Sequence, residues 1–202
     1  GLRVSNILKY EGKWNGLSVG LAYGFGEVAG AASQNSYVGG TVAYEFGPAY
    51  IGAFAQQHKD VAGNKQTVWG IGGNYTIAAA KLFAGNIDSS DATGCVNSSA
   101  NCVGGSAFGL NIYGNATSGA GLTPGATKRR DHVGILGVTY NVTPALALTG
   151  AFYYDSIKNA ALTAGNDGKR YTGVLLAEYA LSKRTQVYGT VDYNKVKDAA
   201  LP

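Results

Sequence analysis

Residues 17–26 read Leu17-Ser18-Val19-Gly20-Leu21-Ala22-Tyr23-Gly24-Phe25-Gly26, with every odd position large and apolar and every even position small. A period of two places all the bulky groups on one side of an extended chain, so this stretch is a β-strand with one greasy face. A helix would repeat its apolar residues at i, i+3, i+4 and i+7, and glycine at this density would cost it about 1 kcal/mol per residue relative to alanine. The same alternation recurs at 36–45 (Val38, Gly40, Val42, Tyr44), 66–75 (Trp69, Ile71, Gly73, Tyr75) and 146–155 (Leu146, Leu148, Gly150, Phe152, Tyr154). It returns at 170–179 (Tyr171, Leu175, Ala177, Tyr179), at 185–195 (Val187, Val191, Tyr193) and, less cleanly, at 2–11 (Leu2, Val4, Leu8, Tyr10). Segments 49–58, 81–88 and 129–141 are strand-like in composition, although the faces of the first two are not assignable from sequence. The expected count is ten strands.

The connections alternate in length. Short ones fall at 12–16, 46–48, 77–80, 142–145 and 181–184, and longer ones at 27–35, 59–65, 89–128 and 158–169. An up-and-down antiparallel sheet puts all tight turns at one rim and all long loops at the other, as in transmembrane barrels, whereas a Greek-key sandwich would not keep that order. The strand-like segment 107–114 is assigned to the long loop, since one more strand would break the alternation.

In the strands with clear alternation the apolar face is expected to carry no Asp, Glu, Lys or Arg, and the opposite face to carry the charges. Aromatic rings decide what the apolar face touches. Tyr10, Trp14, Tyr44, Phe46, Tyr75, Tyr140 and Tyr179 gather at the short-turn ends, and Tyr23, Phe25, Trp69, Phe152, Tyr154 and Tyr193 at the other ends. Two ring bands separated by smaller apolar residues match a lipid-facing girdle, because amphipathic rings favour the headgroup level. Ten residues rising ~3.3 Å each at ~45° tilt span about 23 Å, close to the ~25 Å apolar band of such barrels. The opposite face (Ser18, Gly20, Ala22, Thr41, Asn74, Thr190) is small and polar, which suits a water-filled interior.

Composition agrees with this reading. The chain has 202 residues with 31 Gly, 14 Tyr and no Met, and 46% of it is hydrophobic while only 14% is charged, against ~25% in an ordinary soluble domain. Four Pro and the hydrophobic content exclude a disordered chain. Residues 1–30 lack a signal-peptide pattern, which suggests a mature or truncated chain, and no apolar run reaches the ~18 residues of a membrane helix. A net charge of +4 without a basic stripe gives no support to nucleic-acid binding. Cys95 and Cys102 lie in a Ser/Asn/Gly-rich stretch and read as an extracytoplasmic disulfide pinning a loop, since two ligands with no nearby His do not complete a metal site. His58 and His132 have no nucleophile at a catalytic spacing, and the glycines at 24, 26 and 30 or at 70, 72 and 73 lack the strand-to-helix context of a nucleotide loop. No cofactor is expected.

Several stretches carry a resemblance. Tyr179-Ala180-Leu181-Ser182-Lys183-Arg184-Thr185-Gln186-Val187-Tyr188 resembles the penultimate turn and strand of Gram-negative general porins of the beta-proteobacterial type. Tyr23-Gly24-Phe25-Gly26-Glu27-Val28-Ala29-Gly30, Ala80-Lys81-Leu82-Phe83-Ala84-Gly85 and Val142-Thr143-Pro144-Ala145-Leu146 resemble the same family in the same order. The resemblance implies an all-β, antiparallel up-and-down transmembrane barrel of sixteen strands in the outer membrane. It implies a homotrimer among outer-membrane lipid and lipopolysaccharide, with a constriction loop in each channel. On that pattern the chain is one segment, an internal to C-terminal piece, with the constriction loop before Gly1, the closing strand after Pro202 and the sheet incomplete as given. The implied function is non-enzymatic passive diffusion of ions and small hydrophilic solutes. The alternatives are an outer-membrane barrel enzyme of lipase or protease type, and a non-conducting structural barrel.

The expected pore-lining residues are Arg3, Lys9, Glu11, Glu45, Asp155, Arg170, Glu178 and Asp192, a wall of mixed sign. Charge rings set ion preference in pores. Arg3, next to the expected loop position, is the candidate eyelet residue. Asp88, Asp91, Asp155 and Asp167 fall near the long-loop rim, where acids are ordinarily solvated and otherwise hold Ca²⁺ that can bridge lipopolysaccharide phosphates.

Overall fold

In the computed structural model, which describes residues 6–26, 28–31, 33–60, 62–93, 127–160 and 163–198, the chain forms one antiparallel sheet of ten strands in sequence order. The strands are β1 (Ile7–Trp14), β2 (Leu17–Gly24), β3 (Tyr37–Phe46), β4 (Ala49–Lys59) and β5 (Lys65–Ile77), followed by β6 (Ala80–Asp91), β7 (Arg129–Asn141), β8 (Leu146–Lys158), β9 (Gly168–Ser182) and β10 (Thr185–Asp198). Each strand pairs only with its neighbours in sequence, so the sheet is up-and-down and not closed, with β1 and β10 as its edges. Arg3, Cys95, Cys102 and the segment 107–114 lie outside the described residues.

The turns show how tightly the short rim is built. The expected connection at 12–16 shrinks to Asn15-Gly16, because both residues adopt positive φ (43° and 86°) and an Asn-Gly pair closes a hairpin whose twist matches its strands. Strand β1 therefore runs on to Trp14. At Gly16 a Cβ would stand 2.5 Å from the Glu45 carbonyl oxygen, so the turn also packs against β3.

The long-loop ends differ from expectation in the other direction. Strand β6 continues to Asp91, β8 to Lys158 and β9 begins at Gly168, each beyond its purely apolar stretch. Ladder hydrogen bonds belong to the backbone and continue wherever the chain stays extended, whatever the side chains.

Register assigns every face. The row Tyr44, Ile51, Gly73, Ala84, Leu136, Phe152, Gly173, Tyr193 runs through consecutive pairs from β3 to β10, which fixes the odd residues of β4 and the even residues of β6 on the apolar face. That face stays uncovered: Leu21, Val42, Ile71, Leu148 and Leu175 are all exposed, as are the rings of both bands apart from Tyr154, which is half-buried. Among the described residues the buried apolar set is only Val68, Ala92, Val133, Ile157 and Ala160. A water-soluble sheet would bury the greasy side, so this sheet presents it to another apolar medium.

One expectation fails at the rim. Asp88, Arg130, Lys158, Lys169, Lys195 and Lys197 share the register phase of the apolar face, so that face is not free of charge along its whole length. All of them lie at or beyond the level of the upper ring band. Charge on a lipid-facing strand costs ~2–4 kcal/mol at the midplane and falls to ~0–1 kcal/mol near the interfaces, so the face is kept clean only where it meets hydrocarbon.

Candidate functional site: the polar face of the sheet

The polar face carries the remaining expected residues. Lys9 and Glu11 stand exposed on β1, Glu45 on β3, Arg170 and Glu178 half-buried on β9, and Asp192 exposed on β10. Asp155 is on the same face but is buried, at 2% exposure. Lys13 joins this set and reaches the Glu45 carboxylate at 3.3 Å across β2. Both partners are more than half exposed, so the pair contributes at most about 1 kcal/mol.

A hollow of about 320 Å³ opens over β1–β4, and on this face Lys9, Glu11, Thr41, Phe54 and Gln56 line it. The Tyr37 hydroxyl donates to the Gln56 Oε1 at 3.2 Å at one end. Gly39 makes room for that ring, because a Cβ there would stand 2.4 Å from the Tyr37 oxygen. The wall is thus kept low where side chains would otherwise fill it.

On β9 and β10 the polar groups are tied together. The Arg170 guanidinium donates to the Asn194 Oδ1 at 3.0 and 2.7 Å, and the Thr172 hydroxyl donates to the same oxygen at 2.7 Å. The Asn194 amide in turn donates to Asp192. The Gln186 amide donates to Glu178 at 2.8 Å. Asp155 and Arg170 face each other in register between β8 and β9.

Near the long-loop rim the sheet holds a buried polar cluster that the sequence reading missed. Arg129 donates through Nε and Nη2 to the Asp131 Oδ1 at 3.2 and 2.9 Å, with both side chains 3% exposed. Asp91 accepts from Gln66 at 3.0 Å and from the backbone and hydroxyl of Thr93 at 2.8 and 2.6 Å. Asp60 accepts the backbone N–H groups of Ala62 and Asn64 and the Asn64 amide, which caps the β4–β5 connection. The signal available in sequence was the period of two carried past residue 88, which puts Asp91 and Arg129 on the polar face.

The four rim acids therefore part company. Asp91 and Asp155 are buried on the polar face, which corrects their reading as solvated loop acids. Asp88 belongs to the apolar face, 3.0 Å from the His132 Nδ1, and Asp167 lies 3.8 Å from the Lys158 ammonium. Among the described residues no cluster of three or more His, Cys, Asp or Glu has a geometry that would hold a metal ion.

An up-and-down sheet with an uncovered apolar face, two ring bands and a polar opposite face defines a segment of a transmembrane β-barrel. The family described as Gram-negative porin matches residues 1–199, and the chain belongs to it. Its place is the outer membrane. Among solved structures it is similar to an anion-selective porin from Comamonas acidovorans, at 20% identity over 95% of this chain and 49% of that one, with a TM-score of 0.67. It is also similar to OmpT, an outer membrane protein of Vibrio cholerae (16% identity, 95% and 54% covered, TM-score 0.62). A third is the outer membrane channel DcaP of Acinetobacter baumannii (13%, 96% and 57%, TM-score 0.62). The chain spans about half the length of these proteins. No curated protein matches the sequence.

Proposed function

We propose that the chain forms the greater part of one wall of a water-filled channel through which ions and small hydrophilic solutes diffuse passively, with no enzymatic step. The observation that carries this reading is the inverted distribution of side chains: large apolar residues stay uncovered on one face, while the face opposite carries the charged groups and, among the described residues, buries only a few apolar side chains such as Val68, Val133 and Ile157. In the intact barrel, surrounded by outer-membrane lipid and lipopolysaccharide and assembled as a homotrimer, Lys9, Glu11, Glu45, Arg170, Glu178 and Asp192 line the water, with Asp155 set into the wall behind Arg170. Both charge signs occur along this wall, so it does not by itself impose a strong ion preference. Arg3 and Lys9 add the positive charge that draws anions.

Full-length protein inserted in a planar lipid bilayer tests the reading. Stepwise ohmic conductance that persists without any substrate supports it. Folded, inserted protein that passes no current refutes it.

A further inference from the structure

Four aromatic rings, Tyr37, Phe54, Tyr50 and Phe83, gather on the polar face of β3–β6, where water alone would be served by small polar groups. Each lies over a glycine. A Cβ at Gly39 would stand 2.9 Å from the Tyr37 Cζ, one at Gly70 2.6 Å from the Phe54 Cε1, one at Gly52 3.2 Å from the Tyr50 Cζ and one at Gly137 2.6 Å from the Phe83 Cε2. The rings are therefore laid against the backbone of the sheet with one surface turned to the lumen, and none of them is buried. Tyr153 on β8 and Tyr188 on β10 share the polar face but stand apart from this group.

The four rings descend the wall in order. Register sets Tyr37 beside His58, with Phe54 four residues back along β4 and Tyr50 four residues beyond that. At ~3.3 Å per residue and ~45° tilt each step is about 9 Å in depth, so three rings cover about 19 Å of the ~25 Å apolar band. The Tyr37 ring leans toward Gly39 and the Tyr50 ring toward Gly52, and both leanings shorten the gap to Phe54. Phe83 stands level with Tyr50, with Asn74 between them. The groups beside the rings are neutral and polar: Gln56, which accepts the Tyr37 hydroxyl at 3.2 Å, Thr41, opposite Phe54 in register, and Asn74. The hollow of about 320 Å³ over β1–β4 opens in front of Tyr37 and Phe54, at the lower end of the ~300–1,000 Å³ of small-ligand sites. Nearby charges come with their opposites, Lys13 with Glu45 at 3.3 Å and Lys9 with Glu11 two residues on.

Resting on the reading that this face lines the water, we propose that the wall of β3–β6 is a stacking track for saccharides. The C–H face of a pyranose lies on Phe54 and on the rings above and below it, while Gln56, Thr41 and Asn74 exchange hydrogen bonds with its hydroxyls. A ring platform alone would suit a planar aromatic solute equally well. The two amides and the hydroxyl decide for a sugar, because an aromatic body would cover them without giving them partners. An ion gains little on this part of the wall, where both charge signs are close together. A sugar that enters at Tyr37 and Phe54 reaches Tyr50 and Phe83 without leaving the wall.

The test is the ion current of full-length protein in a planar lipid bilayer as maltotriose is added. Saturable block is expected, with little from sorbitol, which has the hydroxyls and no ring. Phe54→Leu and Tyr50→Leu keep an apolar side chain on the wall and remove the ring face. Each should raise the half-blocking concentration about five-fold, scored against that variant's own sugar-free current. Phe54→Tyr restores a ring and should be blocked as wild type is, and so should Tyr153→Leu, which lies off the track. Block that is unchanged in both leucine variants overturns the proposal, and so does equal block by sorbitol, a measurement that needs only the wild type. Open channels that maltotriose does not block overturn it as well, whereas folded protein that passes no current refutes the channel reading instead. Nicotinamide that blocks more tightly than maltotriose, and through the same two rings, overturns the sugar in favour of an aromatic solute.

Discussion

Placing one arginine at Leu175 and, in a second variant, at Leu176 isolates the assignment of the two faces, because a step of one residue along a strand reverses the side. Leu175 is 69% exposed, paired with Gly150 and Val191, and stands midway between the rings of Tyr171 and Tyr179. At ~3.3 Å per residue and ~45° tilt it lies about 9 Å in depth from either ring, too deep for a guanidinium to reach water without bending the bilayer. Leu175→Arg should therefore cost ~2–4 kcal/mol. Leu176 is half-buried on the polar face between Thr149 and Thr190, where an added guanidinium meets water, so Leu176→Arg should fall within about 0.5 kcal/mol of wild type. The assay is reversible urea unfolding of full-length protein in phospholipid vesicles, followed by tryptophan fluorescence and by the gel mobility of the folded form. A gap of 2 kcal/mol separates folding constants about thirty-fold, well outside extrapolation error. Equal costs, or a larger cost at Leu176, would show that the greasy side is not the one in lipid.

The same full-length protein tests three further expectations. Gly16→Ala places a Cβ against the Glu45 carbonyl at a φ of 86°, so its denaturation midpoint should fall by an amount equivalent to ~1–2 kcal/mol, and an unchanged midpoint would remove the turn from the argument. Arg129→Ala leaves Asp131 buried with its guanidinium gone and should cost ~3–5 kcal/mol, most of which Arg129→Met together with Asp131→Leu should recover. If the double variant is as damaged as the single one, the pair is not what holds that rim. Arg3→Ala with Lys9→Ala should shift the reversal potential under a salt gradient toward cation preference, and no shift would exclude both from the ion path.

Strand number, order and face were legible because alternation is a strong signal wherever one side of the sheet must be uniformly apolar, as at Leu17–Tyr23 and Ile71–Tyr75. The faces of 49–58 and 81–88 were not, because β4 carries Tyr50 and Phe54 on its polar face beside Ile51 on its apolar one, and β6 does the same with Phe83 and Leu82. Large apolar residues there stand on both sides, some against glycines across the sheet, as Phe83 does against Gly137. Only pairing with β3, β5 and β7 resolves them. The turns were placed with less resolution than the strands, since Asn15-Gly16 closes its hairpin by positive φ, which leaves no trace in hydropathy.

Depth is the quantity that periodicity cannot carry. An alternating pattern states which side a residue takes and says nothing of whether lipid tails or headgroups lie opposite it, so Lys195 has the same phase as Val191 and Tyr193 and a different surrounding. The ring bands supply the missing ruler. Measured from Tyr171 and Tyr154, the apolar face reaches lysine at the first outward position on β9 (Lys169) and at the second on β8 (Lys158), and on the polar face the wall holds the buried Arg129–Asp131 pair and its neighbours near the same rim. A strand that crosses a membrane has to satisfy two media in succession on each side. Its sequence is therefore best read as two alternating series, each divided where the rings fall, and the charges that spoil the simple pattern mark where hydrocarbon gives way to headgroups.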